Sequence, residues 1–273
     1  MGTSRLTFVP DVSVGEWIAP RLGPFGGRVS SVVPAGFAAY ARVLHPVGDE
    51  TLSSETWVDV CAVADRQPHA LMQWDSISIP HIPDGSRAVS SGAPWDGEPP
   101  RIGDLAPIAM AALCRVLASH TDSDVDIYFG LWEGWGWLDG GGAVARSWSG
   151  GSVEAVAAEA LLTPSPPAFD ESVMAGPRLH HPYRDYLLLT GPLDAATDLG
   201  YWPTTDWFIP QSPNLIWPSD HSWCVATEID FDSTLVGGSA ELVAAVLRSP
   251  ELEAWPIDLD DSLASDGDRV NRR

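Results

Sequence analysis

In HSWCVATEIDFD, residues 221–232, carboxylates recur at alternate positions: Glu228, Asp230 and Asp232. On a strand this spacing places them on one face, the outer two about 13 Å apart. Another acidic side chain, Glu133, stands among the tryptophans of YFGLWEGWGWL, residues 128–138. If the two strands paired side by side, their carboxylates could bind a hard cation through oxygen. They could also divide the acid and base roles of glycoside hydrolysis. Glu133, Glu228 and Asp230 are therefore the candidate catalytic residues. A simpler account fits the same pattern: a half-buried antiparallel strand alternates apolar and polar residues without any site.

The tryptophan cluster offers binding chemistry. Read as one strand over 125–138, the segment puts Tyr128 and Trp132 on one face with Gly130, Gly134 and Gly136. Phe129, Leu131, Glu133, Trp135 and Trp137 fall on the other. A glycine-floored face beside an indole suits close approach by a sugar ring or another backbone, so Tyr128 and Trp132 are the candidate ligand-binding residues. The plainer reading is a core strand, since tryptophan is highly buried on average.

Other motifs stop short. VGGSAEL at 236–242 lacks the lysine of a phosphate loop and the spacing of a dinucleotide fingerprint or nucleophile elbow. It reads as a turn followed by a helix capped by Ser239. His180 and His181 are adjacent and point apart on a strand, and no H-E-x-x-H occurs. The acidic C-terminus misses the glycine of a calcium loop. Neither a metal site nor a cofactor is expected.

All 15 basic residues are arginine. Without lysine there is no Schiff-base, phosphate-loop or general-base lysine, which disfavours pyridoxal enzymes, P-loop hydrolases and protein kinases. With 37 acidic residues the net charge is −22. That charge repels nucleic acid and anionic membranes and attracts a basic protein. Three scattered cysteines give neither a zinc knuckle nor a disulfide framework, and reduced, buried thiols are expected. MGTSRLTFVPD carries no apolar leader, and Leu6 breaks the myristoylation pattern at Gly2. A cytoplasmic setting follows.

These residues need a scaffold. Residues 1–33 read as an extended lead-in with one short strand, and PAGFAAYARVLHPV fits either a helix or a strand. A helix over TWVDVCAVA is capped by Ser53 or Ser54, and one over LAPIAMAALCRVLASH by Asp104. Residues 139–151 form a glycine-rich loop, then come a short helix through VEAVAAEALL and a proline cluster at 163–168, a candidate sub-boundary. HHPYRDYLLLTG ends in a buried strand. The expected fold is α+β: a mixed, mainly antiparallel sheet with several packed helices, as one domain over 1–257, followed by an acidic exposed tail at 258–273.

FAAYARVLHP, YFGLWEGWGWL, HPYRDYLLLTGPLDAA, SPNLIWPSDHSWCVATEIDFDSTLVGGSAELVAAVL and LEAWPIDLDDSL together resemble a family of uncharacterised actinobacterial proteins from high-G+C genomes. The resemblance implies a bacterial intracellular setting and carries no known activity, substrate or catalytic residue. Three functions remain. The first is a non-enzymatic protein-binding module, an antidote or regulator of a basic partner. The second is a small-ligand or carbohydrate-binding protein using Trp132, and the third a hydrolase built on Glu133 with Glu228 or Asp230.

Overall fold

The structure is a computed structural model that describes residues 5–48, 55–79, 93–140, 168–204 and 207–271. Its strands are β1 (Thr7–Phe8), β2 (Ala39–Leu44), β3 (Ile127–Trp132), β4 (Leu179–His181), β5 (Arg184–Thr190), β6 (Gly200–Thr204), β7 (Trp207–Pro210), β8 (Leu215–Pro218), β9 (Cys224–Thr227), β10 (Ser233–Gly238) and β11 (Ala254–Pro256). Nine of them form one sheet in the order β1-β5-β3-β8-β9-β10-β2-β11, with β4 on the β5 edge, while β6 and β7 make a separate hairpin. Every pairing among these strands is antiparallel. The helices are α1 (Trp57–Ala64), α2 (Trp74–Ile77), α3 (Pro107–Ala118), α4 (Glu171–Met174) and α5 (Ala240–Arg248). The fold is α+β, as the sequence predicts.

Both sheet faces are covered. Phe129, Leu131, Leu187, Ile216, Val225 and Val236 face the layer of α3 and α5. Tyr186, Leu188, Leu215, Trp217, Cys224 and Ala226 pack under Val9, Ile18, Val29 and Val33 of the N-terminal segment and Ile257 and Leu263 of the C-terminal one. A third cluster, around Trp57, Cys61, Met72 and Ile77, sits beside β2. Because the β9 side chains are buried on both faces, the expected solvated polar face does not exist along the strand. The acidic residues come only after it ends.

Three buried polar groups tie the layers together. Arg42 on β2 is 1% exposed. It donates to Ser233 Oγ, Asp232 Oδ1 and the carbonyls of Ala70 and Met72, and its guanidinium lies against the Trp57 ring. Asp104 accepts from Ser212 N–H and pairs with Arg101. Asn214 joins the ends of β3 and β9 from its place just before β8.

Several expectations are corrected. The ambiguous segment at 34–47 contains strand β2, paired on both sides by β10 and β11. Residues 236–238, expected as a turn, instead end strand β10; Gly237 and Gly238 are packed where a Cβ would press on Phe37 and Leu242. Ser239 does cap α5, accepting from Leu242 N–H at 3.1 Å. Thr56 caps α1, with Asp59 returning a bond to the Thr56 N–H in a capping box. Asp104 does not cap α3, since its carboxylate is drawn into the Ser212 and Arg101 contacts; Ala106 occupies the cap and Pro107 opens the helix.

The tail is corrected too. Leu263, Asp268 and Asn271 are buried rather than exposed. Asp268 accepts from the backbone N–H groups of Gln73, Val270 and Asn271 and lies 2.9 Å from His69 Nε2. Asn271 in turn bonds the backbone of Gln67 in both directions. Charge density misleads here because most of the acidic side chains turn outward while Leu263 and the hydrogen-bonded Asp268 and Asn271 anchor the segment. The helix through VEAVAAEALL lies outside the described residues, as do all of the 163–168 boundary but Ala168 and most of the 139–151 loop.

Candidate functional site

Trp132, Glu133, Glu228 and Asp230 gather at one end of the sheet, where β3 and β9 stop and the β4–β5 hairpin turns, whereas Tyr128 lies toward the other end of β3, opposite Thr190. β3 ends at Trp132, not near Leu138, and this alters the expected faces. Glu133 N–H makes a last bond to the Asp185 carbonyl, and the chain then curls, with Leu138 N–H donating to Trp135 O. Gly134 leaves room there for the Trp132 ring, which a Cβ would strike, whereas a Cβ at Gly136 would meet open space. Tyr128 and Trp132 do share the sheet face opposite Phe129 and Leu131. Trp135 and Trp137 leave the strand altogether and pack toward the helical layer.

The curl sets Trp135 edge-on to Trp132, with centroids 5.5 Å apart. Asn214, 1% exposed, fixes this corner. Its Oδ1 accepts from Trp132 N–H at 2.9 Å and from the Trp135 indole N–H at 3.0 Å, while its Nδ2 donates to the Thr227 carbonyl. The glycine-floored surface is not open, because Gly134 lies directly against the six-membered ring of Trp132. The Arg184 guanidinium carbon lies 5.7 Å from the same indole. Tyr128 contacts Trp217 at 5.7 Å. Neither ring is a bare stacking platform.

The carboxylates are also arranged differently from the expectation. β8 lies between β3 and β9, so the strands leading to Glu133 and Glu228 are not neighbours. Glu228, Asp230 and Asp232 do not share a strand face either. β9 ends at Thr227, Phe231 N–H bonds back to Glu228 O, and the turn leads into β10. Asp232 pairs with the buried Arg42, whereas burial still pushes its carboxyl above the usual range. Glu133 pairs with Arg178 at 3.2 Å. Glu228 Oε1 accepts from Arg184 Nη2 at 2.6 Å and Nε at 3.2 Å, and Asp230 lies 3.4 Å from the same Nη2. Each candidate carboxylate thus holds a guanidinium.

Below Arg184 is a narrow slot of about 20 Å³, lined by Phe25, His181, Tyr186, Asn214, Thr227 and Glu228 among others. His180 and His181 do point apart: His180 is exposed and bonded to Asp185, and His181 is 8% exposed. His181 packs edge-on to Tyr186, and its Nε2 is buried without a partner. Burial lowers its pKa to about 4, so the ring is neutral near neutral pH. At the rim, Phe25 and Tyr183 are 53% and 74% exposed and in contact at 4.5 Å.

Among the described residues, no group of three or more histidine, cysteine, aspartate or glutamate side chains is placed to hold a metal ion. The three cysteines are free and buried, and burial raises the Cys61 and Cys114 thiols to about 12. No helix among these residues is long and apolar enough to cross a membrane.

Searches against known protein families, curated proteins and solved structures return no match. The site's chemistry rests on its own geometry. Phe25, Arg178, Arg184 and Asn214 were not legible in the sequence: each acts through a contact to a segment tens of residues away, and none stands in a motif. The one signal in the chain was PYRDY, an arginine at a proline turn beside a strand, in a sequence poor in cations.

Proposed function

We propose that the protein is a non-enzymatic binding module for a basic protein partner, acting as an antidote or regulator. The observation that carries this reading is the way Glu133, Glu228 and Asp230 are disposed around arginine guanidinium groups at one rim of the sheet. With a net charge of −22, such a rim attracts a basic surface from a distance and meets it with acceptors set for charge-assisted hydrogen bonds. The hydrolase reading loses its premise, since the strands it needs side by side are separated by β8. The carbohydrate reading loses the open face of Trp132.

The chain, immobilised and exposed to lysate of a high-G+C actinobacterial host, should retain a basic protein whose capture declines as salt rises. The doubly substituted Glu133→Gln, Asp230→Asn chain should retain less of it. Absence of any basic partner at low salt, or capture indifferent to both substitutions, refutes the reading.

A further inference from the structure

We propose that the pocket formed by Phe25, Trp132, Glu228 and Asp230 is an arginine-recognition site, occupied in the free protein by the chain's own Arg184 and opened when a partner's arginine displaces it. The inference rests on the binding-module reading and specifies its chemistry. Arg184 follows the two-residue turn Pro182–Tyr183 that joins β4 to β5. Its guanidinium uses all three nitrogens: Nε and Nη2 donate to Glu228 Oε1, Nη2 approaches Asp230, and Nη1 donates to the Tyr183 carbonyl at 3.1 Å. The central carbon lies 5.7 Å from the ring centroids of both Phe25 and Trp132.

Carboxylates with aromatic rings around a planar cation form the environment that a guanidinium prefers over an ammonium. The resident side chain therefore reports what the pocket selects. Access exists, because Asp230 is 75% exposed and Phe25 and Tyr183 form an open rim. Beneath lies the unpartnered Nε2 of His181, a buried hydrogen-bonding group that the resident arginine does not engage. A tethered competitor at high effective concentration weakens an incoming guanidinium, so free affinity is masked until Arg184 leaves.

Methylguanidinium serves as the probe, read by NMR at the Trp132 indole N–H, which is assigned by its disappearance in Trp132→Phe. Arg184→Ala should show a saturable shift at a concentration at least tenfold lower than the wild-type chain, and methylammonium should not reproduce it. Arg184→Met, which keeps the apolar stem against Phe25 and Trp132, provides the same test if the alanine variant fails to fold. In the wild-type chain, saturating methylguanidinium should also abolish the protection of the Arg184 Nε–H from solvent exchange. A folded variant without a saturable shift overturns the proposal, as does an equal response to methylammonium. If a basic partner is captured while the variants gain no guanidinium binding, this site assignment fails and the binding-module reading stands. If the variants bind guanidinium while no partner is captured, the site assignment stands and the binding-module reading fails.

Discussion

His45, the residue just after β2, should make the fold acid-sensitive above the range in which most carboxylates titrate. The ring is fully buried, with Nδ1 2.6 Å from the Arg101 carbonyl and Nε2 3.0 Å from Thr234 Oγ1. A carbonyl can only accept, so Nδ1 carries the proton and Nε2 accepts from the Thr234 hydroxyl. Thr234 can then accept from Thr227, 2.8 Å away. A second ring proton would force the Thr234 hydroxyl to turn and donate to Thr227, and would place a charge in a site sealed from solvent. Burial is the largest cause holding the pKa down, and Arg101 and Arg42 add to it, giving about 4 against 6.5 for a free ring. The unfolded chain therefore binds a proton through a range where the folded chain does not, and stability falls as pH drops from about 6.5 toward 4. At roughly pH 4.5 the loss from this one group is about 2–3 kcal/mol. His45→Gln retains a donor and an acceptor but cannot titrate. Urea unfolding followed by tryptophan fluorescence, at neutral pH and near pH 4.5, should give an acid penalty about 2–3 kcal/mol smaller in His45→Gln than in the wild type. Contributions from His181 and the carboxylates are common to both chains and cancel. Equal acid penalties would show that His45 accepts its second proton at no cost and that the buried relay is wrong.

Two further substitutions probe features that are invisible in the sequence. Asp268→Ala removes the acceptor shared by the Gln73, Val270 and Asn271 N–H groups and His69, and should cost about 3 kcal/mol in denaturant unfolding; a cost below about 1 kcal/mol would return the segment to the status of a loose tail. Gly103→Ala places a Cβ against the Ile229 carbonyl at a residue with φ of +72°, and should lower the melting temperature by several degrees, at a cost of at least about 2 kcal/mol. An unchanged melting temperature would refute that close approach.

Local chemistry determined much of the protein. Ser239 as a helix cap, the opposed faces of Tyr128 with Trp132 and Phe129 with Leu131, and the opposite directions of His180 and His181 follow from periods of 3.6 and 2. So does the α+β class. These features depend on neighbours within a few residues, and sequence spacing expresses them directly. The antiparallel sheet order could not be read this way. Nothing in YFGLWEGWGWL or HSWCVATEIDFD says that β8 will stand between them, and that one insertion removes the paired-carboxylate site.

Where a strand ends is equally a tertiary matter. β3 stops at Trp132 because Asn214, which is 82 residues away in the chain, takes the Trp132 N–H and then the Trp135 indole as the chain curls. Burial on both faces decided β9, since a cover over the second face turns apparent polar alternation into two buried sides. The acidic C-terminus shows the same limit from the other direction: composition reads as solvent-exposed, yet Asp268 and Asn271 find hydrogen-bond partners in residues 66–73. The sequence by itself determined which residue types could do chemistry and which chemistries were absent. The tertiary structure decided which of them meet, and it placed an arginine against each candidate carboxylate, because opposite charges brought to a half-buried rim must be paired there.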